Sequence, residues 1–131
     1  MSFKNDLIKA IFQATTFQTK VYLRLCTDAT VANATTAGTE CAYGGYVTGG
    51  VGIDPTLANW PDTDNEVENA NAIEFAEAIG GSETIRYVEA WKDNTSSNIL
   101  DRIGWCQLPS DLAISTGGKP VIEAGNCVFS V

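Results

Sequence analysis

The sequence contains no histidine, and this absence removes several classes of site at once. A Ser-His-Asp triad, a Cys-His pair and a histidine-ligated metal centre all require an imidazole. Basic residues are also scarce, because 8 Lys and Arg stand against 16 Asp and Glu, a formal net charge of −8. This surplus opposes binding to nucleic-acid phosphates and to anionic lipid surfaces. We therefore expect no nucleic-acid partner and no membrane partner.

Long apolar runs are missing as well. No segment reaches the roughly 18 consecutive apolar residues that a membrane-spanning helix needs. Residues 1–10 carry charges where a secretory signal has a continuous apolar core. We expect a protein that is made and kept in a cytoplasm until it assembles, and its 131 residues correspond to one domain.

The cysteines lack the close pairing of a zinc site. The four are Cys26, Cys41, Cys106 and Cys127, separated by 15, 65 and 21 positions. Zinc motifs place two ligands only a few residues apart, and no such pair is present. Without a secretory signal we expect buried thiols that pack as small apolar groups, and we expect no cofactor. Two disulfides, in any of three connectivities, remain an alternative.

The N-terminal segment has the pattern of a short amphipathic helix over residues 2–14. Its apolar side chains recur at helical spacing and form one stripe: Phe3, Leu7, Ile8, Ile11 and Phe12. We expect this stripe to pack on a sheet of the same chain, on a neighbouring molecule, or on both. We assign residues 1–18 to an N-terminal helix or arm and residues 19–131 to a β domain.

From residue 20 onward the hydrophobic period changes to two. Val21, Leu23 and Leu25 alternate with Tyr22, Arg24 and Cys26, as on the two faces of a strand. The same reasoning predicts strands within 20–28, 40–51, 70–79, 83–92, 99–108, 112–115, 119–123 and 127–131, with a helix as the alternative for 70–79. Pro109 is expected to end the fifth of these strands, and residues 28–40 and 54–69 are expected to be polar surface segments. The pattern predicts a mainly β fold, an antiparallel β-sandwich of jelly-roll or Ig-like type with about seven or eight short strands.

One acidic run has the spacing of a metal loop. Its acids alternate as the first four ligands of a calcium-binding EF-hand loop do: Asp62, Asp64, Glu66 and Glu68. The sixth position is Val67 where that loop requires glycine, and the twelfth is Ile73 where it requires glutamate. We expect a solvated acidic loop, with a calcium site of another type as the alternative.

No motif indicates catalysis. The glycine pairs, such as Gly44-Gly45, are not followed by the Lys-Ser/Thr of a phosphate loop. Glycosidases need two carboxylates roughly 5 to 9 Å apart, and no acid spacing in the chain indicates such a pair. We therefore expect a protein that is not an enzyme.

The order of short motifs resembles that of a family of small phage structural proteins. The motifs are Val21–Asp28, Gly44–Val47, Asn71–Phe75, Ile85–Asp93, Ser97–Leu100 and Lys119–Phe129. Members are labelled either head-decoration (cement) proteins or tail-fibre proteins. The resemblance implies a β-sandwich that assembles on a virion and has no catalytic role.

On this resemblance we expect a capsid decoration protein, a homotrimer that bridges subunits of the major capsid protein and stabilises the shell by binding it. A tail-fibre or adaptor subunit is the first alternative. A lectin-like module that holds glycans on Trp60 or Trp91 is the second. The residues expected to contact the capsid or another subunit are Phe3, Leu7, Ile11, Phe12 and Trp60.

Overall fold

The computed structural model describes residues 20–28, 36–56, 58–63 and 66–130. They form a mainly β structure with nine strands and one short 3-10 helix, Ile99–Asp101. The strands are β1 Val21–Cys26, β2 Val51–Ile53, β3 Asp62–Thr63, β4 Glu66–Glu68, β5 Ile73–Glu74, β6 Glu83–Trp91, β7 Arg102–Ile114, β8 Val121–Ile122 and β9 Val128–Ser130. Among these residues, no helix is long and apolar enough to cross a bilayer.

Three antiparallel sheets organise the strands. The largest has the order β2-β1-β6-β7, the second β3-β4-β9 and the third β5-β8. The mainly β, antiparallel fold is therefore confirmed, whereas the sandwich arrangement stays a prediction. The N-terminal helix and its boundary at residue 18 lie outside the described residues.

The main core forms on one face of the four-stranded sheet. Val21, Leu23 and Leu25 of β1 are fully buried, as their alternation predicts. The register sets Leu25 beside Val88 and Leu23 beside Ala90 of β6, so apolar side chains meet in pairs on this face. Burying each large aliphatic side chain stabilises the fold by roughly 1.5–3 kcal/mol, so this face is a major source of stability.

The predicted end of a strand at Pro109 is wrong. β7 continues through Pro109 to Ile114, joining two segments that we expected to be separate. At this point Arg86 alone stands opposite residues 108–111, so the register shifts and β7 bulges. A proline without an N–H is tolerated because β7 is the last strand of the described sheet.

Other strand boundaries also differ from the expectations. Residues 54–69, expected to be a polar surface segment, contain the short strands β3 and β4. In the segment 70–79, strand pairing is limited to Ile73–Glu74, and no part of the segment is helical. In 40–51 the chain makes single bridges at Glu40 and Gly44 before β2 begins. Short pairings of this kind depend on distant partners, which local sequence patterns do not specify.

Candidate functional site

The second face of the four-stranded sheet carries an unusual buried group of charged and aromatic residues. Strand register brings them together, because Arg24 of β1 pairs with Glu89 of β6, and Glu89 pairs with Trp105 of β7. Trp91 pairs with Arg102 at the end of the same strands. We call the five residues Arg24, Glu89, Trp91, Arg102 and Trp105 the arginine–tryptophan cluster.

The Glu89 carboxylate lies at the centre of this cluster. It accepts hydrogen bonds from Arg102 Nη1 at 2.6 Å, from the Gly38 backbone N–H at 3.0 Å and from Trp91 Nε1 at 3.3 Å. The Glu89 and Arg102 side chains are only 2% and 3% exposed. A buried charge is tolerated when it is paired and hydrogen-bonded, and both conditions are met here.

Arg24 ties the β6–β7 connection to the sheet. Its guanidinium lies 4.0 Å from the centre of the Trp91 ring, which is a cation–π contact. Its Nη2 donates to the carbonyl oxygens of Asp93 and Ser96 at 2.8 and 2.9 Å. One arginine therefore fixes the path of a loop that carries few buried residues of its own.

The cluster reaches the protein surface at Trp105. The Arg102 guanidinium lies 4.6 Å from the Trp105 ring centre, and this ring is 37% exposed. In the adjacent 3-10 helix, Leu100 is 82% exposed. These two exposed apolar side chains make this end of the sheet a candidate contact surface.

A second pair of exposed apolar side chains lies where two loops meet. Val47 is 62% and Ile79 75% exposed. The loops are joined by two backbone hydrogen bonds, from Gly44 N to Gly80 O at 2.8 Å and from Ile79 N to Gly44 O at 2.9 Å. We refer to Val47, Ile79, Leu100 and Trp105 together as the exposed apolar set.

The Cys26 thiol beside the cluster is not poised for nucleophilic chemistry. Burial raises its pKa above the usual range, and the neighbouring Glu89 charge raises it further. The thiolate is the reactive form of cysteine, and a higher pKa makes it rarer at neutral pH.

The contact residues expected from the sequence fall into two groups. Phe3, Leu7, Ile11 and Phe12 lie outside the described residues. Trp60 is fully buried and packs edge-on against Phe129, with ring centres 6.1 Å apart. Trp60 is therefore a core residue, where burial of its large apolar ring stabilises the fold, and its expected role as a subunit contact stays a prediction.

Burial also removes the proposed glycan platform. Trp60 is 0% exposed and Trp91 is 1% exposed, so neither ring presents a face to a sugar. Of the three tryptophans in the chain, Trp105 is the one with an exposed surface.

The acidic run is divided between two short strands. Glu66 and Glu68 belong to β4 and flank the buried Val67, so they share the face turned away from the core. Asp62 lies in β3 at the register position of Val67, and Asp64 lies outside the described residues. Within the parts of the chain that the structure describes, no three Cys, Asp or Glu side chains are grouped closely enough to hold a metal ion.

Sequence reasoning missed the arginine–tryptophan cluster. The sequence pattern places Arg24 on one strand face with Tyr22 and Cys26, and it suggests Trp60 and Trp91 only as subunit or glycan contacts. Part of the signal was present, because Arg24 occupies the polar phase of β1, whose other phase is apolar. Glu89 gives no such signal, because its own phase of β6 also carries Ile85, Tyr87 and Trp91. Only the strand register shows that Arg24 and Glu89 face each other.

Comparison with known protein families shows which family the chain belongs to. The model of the family described as "Podophage GP4 fiber I protein gp80" matches residues 2–130. The chain belongs to this family. No curated protein matches the chain. Membership in the gp80 fibre family identifies a phage structural protein of fibre type, and thus a component of the virion.

Proposed function

We propose that this gp80-family protein is a structural subunit of a podophage tail fibre and has no catalytic role. The observation that carries the proposal is the family match over nearly the whole chain, residues 2–130. The family description names a fibre and does not say where on the particle the fibre is attached. Tail attachment is the part of the proposal that needs its own test.

The geometry supports a rigid mechanical part. The central strands β1 and β6 are buried on both faces, since an apolar core covers one face and the arginine–tryptophan cluster fills the other. The buried ion pair between Glu89 and Arg102 links neighbouring strands by their side chains. Such a body holds its shape while the loops at its ends contact other molecules.

We propose that the protein assembles from several copies. A net charge of −8 makes identical subunits repel one another at long range, so association requires short-range contacts. The exposed apolar set supplies candidates for these contacts, and a homotrimer is the assembly we propose. The same charge disfavours nucleic acid and anionic membranes as partners.

Immunogold labelling of intact virions tests the location of the protein. Labels confined to the tail support the fibre proposal. Labels spread over the capsid shell would instead identify a decoration protein in contact with the major capsid protein. In that case, heating virions with and without the protein would show whether it stabilises the shell.

Analytical ultracentrifugation of surface variants tests the assembly. We expect Ile79→Glu or Leu100→Glu to shift the purified protein from trimer to monomer, because each places a charge in an apolar contact. Thr116→Glu, in an exposed turn outside the exposed apolar set, is the matched control. A trimer that persists in both test variants would contradict the assignment of these two side chains to the contact.

A further inference from the structure

Two buried thiols meet between two of the sheets. Cys106 lies in β7 of the four-stranded sheet, and Cys127 immediately precedes β9 of the three-stranded sheet. Their Sγ atoms are 3.5 Å apart, and the two residues are 4% and 0% exposed. Both cysteines are free in the structure, which therefore shows a reduced pair in direct contact.

The backbone at Cys127 is held firmly in this position. The Cys127 N–H donates to Asn69 Oδ1 at 2.9 Å. The Asn69 amide nitrogen in turn donates to the carbonyl oxygens of Asn71 and Glu123 at 2.8 and 3.0 Å. The side chain of Asn69 is therefore fully engaged, and it fixes the segment that carries one of the two thiols.

The other two cysteines do not form an equivalent pair. Cys26 bridges Glu40, which places the next residue, Cys41, beside Leu25. Successive residues of a strand point to opposite faces. Accordingly, Cys41 packs with Leu25 in the main core, whereas Cys26 lies outside that cluster. Their thiols are on opposite sides of the strand pair.

We propose that Cys106 and Cys127 are an oxidation site, where an intramolecular disulfide forms and joins the four-stranded sheet to the three-stranded sheet. A disulfide has its sulfur atoms about 2.05 Å apart, so the two atoms must approach by roughly 1.5 Å. Rotation of the two side chains supplies a movement of this size. Of the three connectivities left open by the sequence, the structure favours the one that contains this pair.

The reaction is a thiol–disulfide exchange with a small disulfide such as oxidised glutathione. One cysteine, as thiolate, attacks a glutathione sulfur, forms a mixed disulfide and releases one reduced glutathione. The second cysteine, also as thiolate, then attacks the protein sulfur of that mixed disulfide and releases the other. The two protons lost by the cysteines end on the two glutathione thiols, so the two protein thiols are oxidised while one glutathione disulfide is reduced.

Burial makes this reaction slow in the folded protein. Burial raises the pKa of the Cys127 thiol well above its usual range, and contact with Cys106 raises it further. The pair therefore reacts when the chain opens locally and exposes it to solvent. A low concentration of denaturant should increase the rate of oxidation, because it increases the population of the open form.

The consequence for the phage rests on the proposed virion function. A reducing host cytoplasm keeps the two thiols reduced, and the medium outside the cell allows them to form the disulfide. We expect the link in virions that have been stored outside the host and not in protein freshly purified from reducing cytoplasm.

Peptide mapping tests the site directly. Purified reduced protein is incubated with oxidised glutathione in mild denaturant, alkylated and cut after glutamate. Cleavage after Glu89 and Glu123 separates Cys106, in residues 90–123, from Cys127, in residues 124–131. We expect these two peptides to be joined, and the intact protein to have lost the mass of two hydrogen atoms.

Single substitutions provide the matched controls. Cys106→Ala should abolish the link, whereas Cys41→Ala, at another buried cysteine, should retain it. In the wild type, oxidation should raise the thermal midpoint by roughly 10 °C, because the link closes a loop of moderate length. The wild-type map does not depend on the stability of the variants.

Four results would overturn all or part of this proposal. Disulfides that join Cys26 or Cys41 instead, or links only between molecules, would refute the site. Failure to oxidise at any denaturant concentration would also refute it. A link that forms in purified protein but never in virions would refute the extracellular step alone, without bearing on where the protein sits on the particle.

Discussion

Removal of the Arg102 side chain should destabilise the protein far more than removal of an exposed charge. In Arg102→Ala, the Glu89 carboxylate keeps its hydrogen bonds from the Gly38 N–H and Trp91 Nε1 but loses its only salt-bridge partner among the described residues. The side chains of both ion-pair partners are almost completely buried, at 2% and 3% exposure. Breaking a buried ion pair in this way costs about 3–5 kcal/mol.

This loss is large compared with the stability of an ordinary domain, which is about 5–15 kcal/mol. With a urea m-value of about 2 kcal/mol/M, the unfolding midpoint should fall by roughly 2 M. Equilibrium urea denaturation followed by tryptophan fluorescence measures this shift. The matched control is Lys119→Ala, whose ion pair with Glu74 at 3.2 Å is half exposed on both sides and contributes at most about 1 kcal/mol.

A double variant separates the ion pair from the packing of the arginine stem. Arg102→Met with Glu89→Leu replaces both charges by apolar groups, which is often neutral or stabilising at buried sites. We expect this double variant to be more stable than Arg102→Ala. The reasoning would be refuted if Arg102→Ala lost no more stability than Lys119→Ala, or if the double variant were the least stable protein.

Two further predictions concern the backbone and the response to pH. Gly50→Ala should destabilise the protein strongly, because Gly50 has φ +85° and a Cβ there would collide with the carbonyl of Leu23. Gly80→Ala is the control, because a Cβ at Gly80 meets open space. The thermal midpoints of the two variants check this prediction, and equal midpoints would contradict it. Burial raises the pKa of Tyr43 to about 12 and also raises the pKa of Tyr87. The unfolded chain therefore loses its tyrosine hydroxyl protons at a lower pH than the folded chain does. The fold should thus lose stability above about pH 10. Stability that these tyrosines contribute is complete below the ordinary tyrosine pKa and is lost as the pH rises through the folded values. Absorbance of tyrosinate during an alkaline titration should therefore rise together with unfolding, and a rise well before unfolding would contradict the burial argument.

The central strands and the protein class were predictable from the sequence. Alternation in β1 correctly indicated a central strand, because its apolar phase lies on the largest core. The strand predicted within 83–92 corresponds to β6, its neighbour in the sheet. The family resemblance correctly indicated a phage structural protein. Both conclusions rest on patterns that extend over many residues and therefore tolerate local exceptions.

Local sequence signals, such as a proline or a polar stretch, predicted strand ends and burial less reliably. Pro109 ends a strand only where its missing N–H is needed, and at the edge of the described sheet it is not. Trp60 precedes a proline in a polar stretch and was expected at the surface, yet it is fully buried against Phe129 from the far end of the chain. Contacts between distant segments decided both cases, and no local pattern encodes them.

Pro109 also has a consequence for how many copies can join. An uninterrupted edge strand of thirteen residues would let one subunit add to the next by main-chain pairing without limit, as in fibrillar aggregates. The proline removes one donor, and the bulge at residues 108–111 offsets the two halves of β7 from each other. A neighbouring strand could follow either half but not both. Main-chain pairing without limit along this edge of the described sheet is therefore disfavoured, and the homotrimer proposed above rests on side-chain contacts instead.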